Sequence, residues 1–276
     1  MNYIRRALMN ITGHRKGRFP GAHPISFTRE RLSLLRKHTY LVAEKTDGVR
    51  FLMYVNRKSG TFLINRKFLF VWCNVSLDLP EETLLDGEMI FEGGRYIFYV
   101  FDVLKYDGRV VMDLPLLDRL RVVHNFLLRL HANNVLQCKC KAMYTCSSIL
   151  QLVTRIMPKL QHLSDGLIFT PSYSPYESTV PILKWKPAVL NSVDFFIKDG
   201  KCYVNDRQDP VASIDYTGTC VGECVWRGRW VMERVREDKT RGNSYAVYED
   251  ILRDIKDPVS IRELCSKTLL NTCLFH

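Results

Sequence analysis

The chain has 276 residues, of which 46% are hydrophobic and 25% charged, proportions that exclude a wholly disordered polymer. At this length folding hides roughly three quarters of the surface that the unfolded chain exposes, so a core can form without disulfide or metal support, in one large domain or two unequal ones. Forty Lys and Arg against 29 Asp and Glu leave a net charge of +11, which favours nucleic acid, nucleotides or anionic lipid as partners. The basic residues are interleaved with aromatics along the chain rather than gathered on one amphipathic helix, and that distribution points to nucleic acid over a membrane surface.

No run approaches the 18 or more apolar residues of a membrane span, and the N-terminus lacks a continuous apolar h-region. A soluble, unsecreted protein with no membrane partner is expected. The nine cysteines are odd in number and irregularly spaced, as suits reduced thiols in an intracellular compartment. Cys138-x-Cys140 with Cys146, and Cys220-xxx-Cys224, lack a CxxC pair and a nearby His-x3-5-His, so they read as structural thiols. Arg5, Arg6, Arg15, Lys16 and Arg18 precede the first acidic residue, Glu30. They read as a basic arm, with an organelle transit peptide as the weaker alternative.

In chain order, Thr28 to Lys37 shows helical spacing with Thr28 as the N-cap candidate. From Tyr40 to Phe70 short apolar runs, Tyr40 to Ala43, Arg50 to Val55 and Thr61 to Ile64, are punctuated by Asp47-Gly48 and Ser59-Gly60, the pattern of antiparallel sheet. Strands follow at Thr83 to Phe91 and Tyr96 to Leu104, helical pattern at Leu116 to Leu130 and Ser147 to Ile156, and strands again at Gly166 to Thr170 and Pro181 to Trp185. Asp199-Gly200 between Val193 to Lys198 and Lys201 to Val204 predicts a type I′ hairpin. Short strands continue to about Arg236, as in a small β-barrel, and Ser244 to Leu270 reads as helices. The fold class is α+β, with the domain boundary near Lys186 to Ser192.

Neither GxxxxGK[ST] nor GxGxxG occurs, so side chains must cradle any phosphate. Glu44-Lys45-Thr46-Asp47-Gly48-Val49-Arg50 puts a lysine before a tight turn and an arginine at the start of the next strand. Alone, this could be an exposed hairpin. Asn65-Arg66-Lys67, Asp86-Gly87-Glu88, Phe101-Asp102, Ser164-Asp165-Gly166 and Leu183-Lys184-Trp185-Lys186-Pro187 each bring charge to an apolar strand, where an unpaired charge is costly. Any one is more often a surface turn or a structural ion pair. Together they describe a cleft for a polyanion.

These segments, in this order, resemble the GTP:RNA guanylyltransferases, or mRNA capping enzymes, within the covalent nucleotidyltransferase superfamily that includes the ATP-dependent polynucleotide ligases. Phe19-Pro20-Gly21 with Pro24-Ile25-Ser26 is similar to the family's leading segment. Lys45 to Arg50 resembles its nucleophile motif, Thr83 to Ile90 its DGE motif, Tyr96 to Leu104 its aromatic-FD motif, and Asp165 to Phe169 its D/E-G motif. Leu183 to Pro187 resembles LKWKP, and Arg236-x-Asp238-Lys239-xx-Gly242-Asn243 resembles RxDKxxPN, with Gly242 in place of proline, a departure expected to loosen that loop. The last two motifs and Thr46 favour capping enzymes. A ligase, or a catalytically inactive RNA-binding module, is the alternative.

The resemblance implies an antiparallel-sheet nucleotidyltransferase domain over residues 1–190, then a small OB-fold barrel with C-terminal helices over 191–276. It implies that Lys45 attacks GTP, retains GMP covalently and passes it to 5′-diphosphate RNA. An amine must shed its proton to attack phosphorus, and Lys184, Lys186 and Arg66 could supply the positive field that favours this. The resemblance places Lys184 and Lys186 on the α-phosphate, and Arg66, Glu88 and Arg50 on the sugar. It places Phe101 and Ile168 on the two faces of the purine and Lys141 on the guanine edge. Asp165 would sit at Mg2+ or Mn2+, and Arg236, Asp238 and Lys239 would reach the phosphates if the barrel closes over the cleft about a hinge near Pro187 to Ser192. It also implies a separate RNA triphosphatase, a cap methyltransferase and a transcribing RNA polymerase as candidate partners, in the nucleus or in a viral or cytoplasmic setting.

Overall fold

The structure, a computed structural model, describes residues 5, 6, 8, 9, 19–56, 60–73, 75, 77, 79–127 and 136–272. Most of the basic arm, Ser59 and the last three residues of the expected helix Leu116 to Leu130 lie outside them. Strands β1 (Ile25–Ser26), β2 (Tyr40–Thr46), β3 (Val49–Asn56), β4 (Gly60–Asn65), β5 (Phe70–Cys73), β6 (Thr83–Glu92), β7 (Arg95–Tyr106) and β8 (Arg109–Val110) come first. Then follow β9 (Leu136–Cys140), β10 (Tyr144–Thr145), β11 (Ser164–Pro171), β12 (Leu183–Trp185), β13 (Ser192–Lys198), β14 (Lys201–Tyr203), β15 (Ala212–Ser213), β16 (Thr219–Trp226) and β17 (Trp230–Val235). The α+β class holds. Two compact units emerge, neither continuous in sequence: one comprises residues 1–24, 39–164 and 168–182, the other 25–38, 165–167 and 183–276.

The first unit is built on a sheet of order β5-β4-β3-β6-β7-β8, with β9 added parallel to β7. Its central strands read as apolar runs rather than alternations because both faces are covered. On β3, Leu52 and Tyr54 enter one core with Phe19 and Ile64, while Met53 and Val55 enter another with Phe98 and Val123. Val123 comes from the helix Leu116–Leu127. Asp47-Gly48 is not a hairpin turn: β2 pairs antiparallel with β10, whereas β3 lies between β4 and β6. The dipeptide carries the chain from one set of partners to the other. A Cβ on Gly48 would lie 2.6 Å from the Met89 carbonyl oxygen and 2.9 Å from Glu88 Cγ, so close approach to β6, not turn type, demands glycine there.

Two helical expectations change in detail. Thr28 precedes a 3-10 turn, Arg29–Ser33, that runs into the short helix Leu34–Lys37, and its hydroxyl caps nothing. Its carbonyl closes the turn instead, accepting from the Arg31 amide at 2.9 Å. Ser147 to Ile156 forms no uniform α-helix but passes from 3-10 through α to a π turn at Leu152–Ile156. A 3-10 turn, Met157–Lys159, follows, and its Pro158 has no amide proton to continue the ladder.

The second unit holds β1 parallel to β12 and a five-stranded antiparallel sheet of order β15-β14-β13-β16-β17, a strand count and pairing that fit an OB-fold. Asp199 and Gly200 both adopt positive φ, 47° and 77°, in the expected β13–β14 hairpin. Ser244 caps the helix Tyr245–Lys256 by accepting from the Val247 amide at 3.4 Å. That helix packs Tyr248 and Ile251 against Phe195 and Trp230, and a further helix, Ile261–Thr272, follows Asp257-Pro258.

Candidate active site

In the first unit the end of β2 carries the nucleophile motif. Lys45 is half-buried and Glu44 and Thr46, on either side, are buried. The Asp47 amide donates to the Leu163 carbonyl at 2.9 Å, which fixes the chain just after the lysine. Lys141 follows β9, and its amide is held by the Val100 carbonyl at 2.7 Å. Its ammonium donates to Glu44 and to the Thr46 hydroxyl, and lies 5.3 Å from the centroid of the Tyr99 ring. Burial lowers the Lys141 pKa, with Glu44 working in the opposite direction. An ammonium has three donors, so two such bonds leave capacity for one more acceptor.

His162 completes this cluster: its Nε2 lies 2.8 Å from Glu44 Oε1, and its ring is 5.0 Å from that of Tyr99. Burial alone would raise the Glu44 pKa, but Lys141 and His162 together hold it low. The sequence reading did not select Glu44 or His162 as site residues. The signal available was Glu44, a carboxylate inside the apolar run that leads to Lys45; nothing in the sequence ties His162 to it.

Glu88, on β6, is paired in register with Arg50 on β3. Burial pushes its carboxyl up to about 7, against the pull of Arg66, Lys45 and Arg50. Arg66 sits in the turn after β4, which Asn65 organises by accepting from the Lys67 and Leu69 amides, each at 3.0 Å. Burial and then the like charge of Arg50 lower the Arg66 pKa. Phe101 is the extra residue of a β-bulge, because Gly87 opposes Val100 while Asp86 opposes Asp102. Such bulges re-aim a side chain, and here the Phe101 ring lies under the Arg50 guanidinium, 5.3 Å away.

Arg50 itself is turned to the protein. Its Nε and Nη2 donate to the two Asp86 carboxylate oxygens at 2.9 and 2.6 Å, and Nη1 donates to the Ala22 carbonyl at 2.6 Å. Tyr176 donates its hydroxyl to Asp86 at 2.5 Å. A second buried pair backs the bulge, Arg119 to Asp102 at 2.7 and 2.9 Å. Asp86 and Asp102 therefore hold the site's framework, and Arg50 links the Phe19-Pro20-Gly21 segment to the DGE strand. Ile168 is half-buried on β11.

The second unit carries the remaining expected residues in two places. On β12 and just after it, Lys184 and Lys186 are half-buried while Leu183 and Trp185 are buried, so the lysines share a face. Trp185 Nε1 donates to the Val259 carbonyl at 2.7 Å, and Lys186 pairs with Asp165. Arg236 clasps Asp238 with two hydrogen bonds of 2.8 Å and reaches Asp194 at 3.1 Å. Lys239 also pairs with Asp194. The Gly242 loop is tied rather than loose: the Asn243 side chain accepts from the Asp194 amide at 2.7 Å, and its backbone bonds Asp194 and Asn205 at 2.6 and 2.8 Å.

Among the described residues no cluster of three His, Cys, Asp or Glu could by itself hold a metal ion. Asp165 is a hard oxygen donor of the kind Mg2+ or Mn2+ takes when nucleotide phosphates and water complete its shell, so the residues fit a substrate-borne cation. The thiols are of another kind. Burial pushes Cys138, Cys146 and Cys224 up to about 12, which keeps them protonated and unreactive.

Comparison with known proteins identifies the family. The model for the mRNA capping enzyme catalytic domain matches residues 2–188, and that for the mRNA capping enzyme C-terminal domain matches residues 212–265. The mRNA-capping enzyme subunit alpha of Schizosaccharomyces pombe is 28% identical over 95% of this chain and 82% of its own length. The Saccharomyces cerevisiae subunit alpha is 26% identical, over 89% of this chain and 77% of its own length. The Caenorhabditis elegans mRNA-capping enzyme is 26% identical over 93% of this chain, which spans about half of that relative, 50%. With its motifs seated on these strands and both family models matched, the chain belongs to the mRNA capping enzyme family.

Proposed function

We propose that the protein is an mRNA guanylyltransferase working through a covalent lysyl-GMP intermediate on Lys45. The deprotonated Lys45 amine attacks the α-phosphorus of GTP. A P–N bond forms, the bond to the bridging oxygen breaks, and pyrophosphate leaves with the electron pair. A terminal oxygen of the RNA 5′-diphosphate then attacks the same phosphorus, the P–N bond breaks, and the cap's triphosphate bridge results. One observation carries this reading: Lys45, Glu88 and Lys141 lie within one another's electrostatic reach in the first unit, as a phosphate, a ribose and a base of one nucleotide would require.

In this reading Lys141 donates to the guanine O6 or N7 acceptors, where adenine presents an amino group beside N7. Glu44 and Thr46 hold its ammonium for that task. Glu88 accepts from the ribose hydroxyls with Arg66 beside it, and Arg50 steadies the Phe101 wall from behind while Ile168 faces the other side of the purine. Lys184 and Lys186 neutralise the α-phosphate, which matters because phosphoryl transfer is governed by positioning and charge compensation. Asp165 would hold Mg2+ or Mn2+, which when bound offsets further phosphate charge. Arg236, Asp238 and Lys239 serve the first step by orienting the pyrophosphate, and the functional domains are residues 1–190 and 191–276, a division that the separate spans of the two family matches support. A triphosphatase must supply the diphosphate-ended RNA, and a methyltransferase would act on the product.

The test is intact-mass analysis after incubation with GTP and magnesium, and in parallel with ATP. Gain of one GMP, mapped to Lys45 and absent from Lys45→Ala, is the expected result. Label from ATP alone, no label, or label on another side chain overturns the reading.

A further inference from the structure

The second unit carries a groove that the nucleotide chemistry above does not use. It encloses about 420 Å³ between Phe196 and Lys198 on β13, Tyr203 at the end of β14, Arg207, and the loop bearing Arg241 and Gly242. Lys198, Arg207 and Arg241 are exposed, whereas Phe196 and Tyr203 are half-buried. No carboxylate lines the groove among the described residues. The nearby Asp206 carboxylate is engaged elsewhere, accepting from the Tyr245 amide at 2.5 Å.

The charge is concentrated rather than compensated. Elsewhere in this unit Arg227, Arg234, Arg236 and Arg253 each face an acidic partner. Among the described residues no carboxylate pairs with Lys198 or Arg241. The hairpin register also sets Lys198 directly opposite Lys201, a like-charge pairing that is unfavourable by itself and that a polyanion would relieve. Arg207 lies over the Tyr245 ring, its guanidinium carbon 3.8 Å from the centroid, so that its guanidinium is positioned before any ligand arrives.

The groove also offers a stacking platform. Phe196 and Tyr203 are register partners with ring centroids 6.4 Å apart and planes inclined by 54°. Aromatic rings flanked by cations on an OB-type sheet are the chemistry of single-stranded nucleic acid binding, in which phosphates meet the cations and bases meet the rings. Gly242 lets this loop pack closely on the hairpin. A Cβ there would lie 2.8 Å from the Phe196 nitrogen, 2.9 Å from the Asp194 carbonyl and 3.0 Å from the Tyr203 carbonyl, so the loop rests directly on the hairpin. The related motif has proline at this position, whose ring would occupy that space.

We infer that this groove binds single-stranded RNA of the acceptor, its phosphates on Lys198, Arg207 and Arg241 and a base against Phe196 and Tyr203. The inference deepens the capping assignment and rests on it for the identity of the strand. A phosphorylated peptide would use the cations but has no need of the paired rings, and on that ground RNA is the occupant.

The test measures binding of the full chain to a fluorescent single-stranded RNA with a 5′-diphosphate, by anisotropy, over a range of salt. Each phosphate that a variant no longer neutralises reduces the magnitude of the negative slope of log K against log salt by about 0.7, so Lys198→Ala/Arg207→Ala reduces it by about 1.4 and addition of Arg241→Ala by about 2. Tyr203→Leu weakens binding with the slope unchanged. Formation of the GMP adduct from GTP alone stays at the wild-type level in the double variant, while KM for RNA in the transfer step rises and kcat is kept. If the alanine variants unfold, Lys198→Gln/Arg207→Gln retains the side-chain stems and repeats the measurement.

An unchanged slope and unchanged KM in a folded variant overturn the inference. So does loss of binding to a multiply phosphorylated peptide with RNA binding intact, which would make the groove a peptide site. Absence of a GMP adduct in the wild-type protein defeats the capping assignment instead, and leaves the salt slope to judge the groove.

Discussion

Replacing Glu88 with glutamine separates a carboxylate kept for ligand binding from one kept for folding. Burial pushes the Glu88 carboxyl from its ordinary 4.5 up to about 7 despite Arg66, Lys45 and Arg50. A folded-state pKa above the unfolded one means that the native protein holds this proton more tightly. The stabilising contribution is therefore complete below pH 4.5 and lost as the pH rises through about 7. At about 1.36 kcal/mol per pH unit, the gap is worth about 3 kcal/mol once both states are ionised. Glu88→Gln removes the charge but still buries an amide, so the nucleotide-free variant should be more stable than wild type by about 2 kcal/mol at about pH 9. That corresponds to a Tm gain of about 5 °C for a chain of this size. The gain should shrink toward zero at about pH 5, where wild-type Glu88 is protonated. Calorimetric melts at the two pH values measure it, and the rate of GMP adduct formation should fall at least about tenfold, because the amide can no longer accept from two ribose hydroxyls as a carboxylate does. A variant equally stabilised at both pH values, or destabilised at the higher one, would refute the assignment of burial as the cause.

Arg119→Met strands the Asp102 carboxylate in the core and should cost about 3–5 kcal/mol, with much of it recovered in Arg119→Met/Asp102→Leu; thermal unfolding of the two variants decides. Because burial already raises the Asp102 pKa while Arg119 opposes it, the single variant's deficit should be smaller in acid than in base, where the carboxylate must stay ionised. Gly242→Pro, which restores the residue usual in the family motif, should lower stability by about 1–3 kcal/mol through backbone collision with β13 and β14, read as a lower melting temperature. Lys141→Met should cut the preference for GTP over ATP in adduct formation by about 10- to 100-fold, the worth of one hydrogen bond from a charged donor; an unchanged preference would assign guanine reading to another residue.

Much of the site was legible because its chemistry is written in local contradictions. A lysine at the end of the Tyr40 to Ala43 apolar run, carboxylates inside the Thr83 to Phe91 strand and alternating lysines around Trp185 each violate the burial pattern of their own segment, and such violations survive folding only with a ligand or a partner. What resolved differently was the choice between those two fates. Asp86 and Asp102 face Arg50 and Arg119, so they serve the framework, while Glu88, two residues from Asp86 on the same face of β6, keeps a pKa raised by burial. His162 was invisible because its partner Glu44 is 118 residues away, and a lone histidine between helical and strand segments carries no local signal.

Amino-acid order alone determined the class of the fold, the Asp199-Gly200 hairpin and the family, since each depends on contacts or preferences spanning a few neighbouring residues. Only the tertiary structure decided that Asp47-Gly48 passes between sheets, that the bulge at Phe101 turns its ring to Arg50, and that Gly242 lies flat on the β13–β14 hairpin. Those outcomes depend on which strands pair and how closely backbones approach. Such distances are set by packing of segments remote in sequence, and no local propensity encodes them.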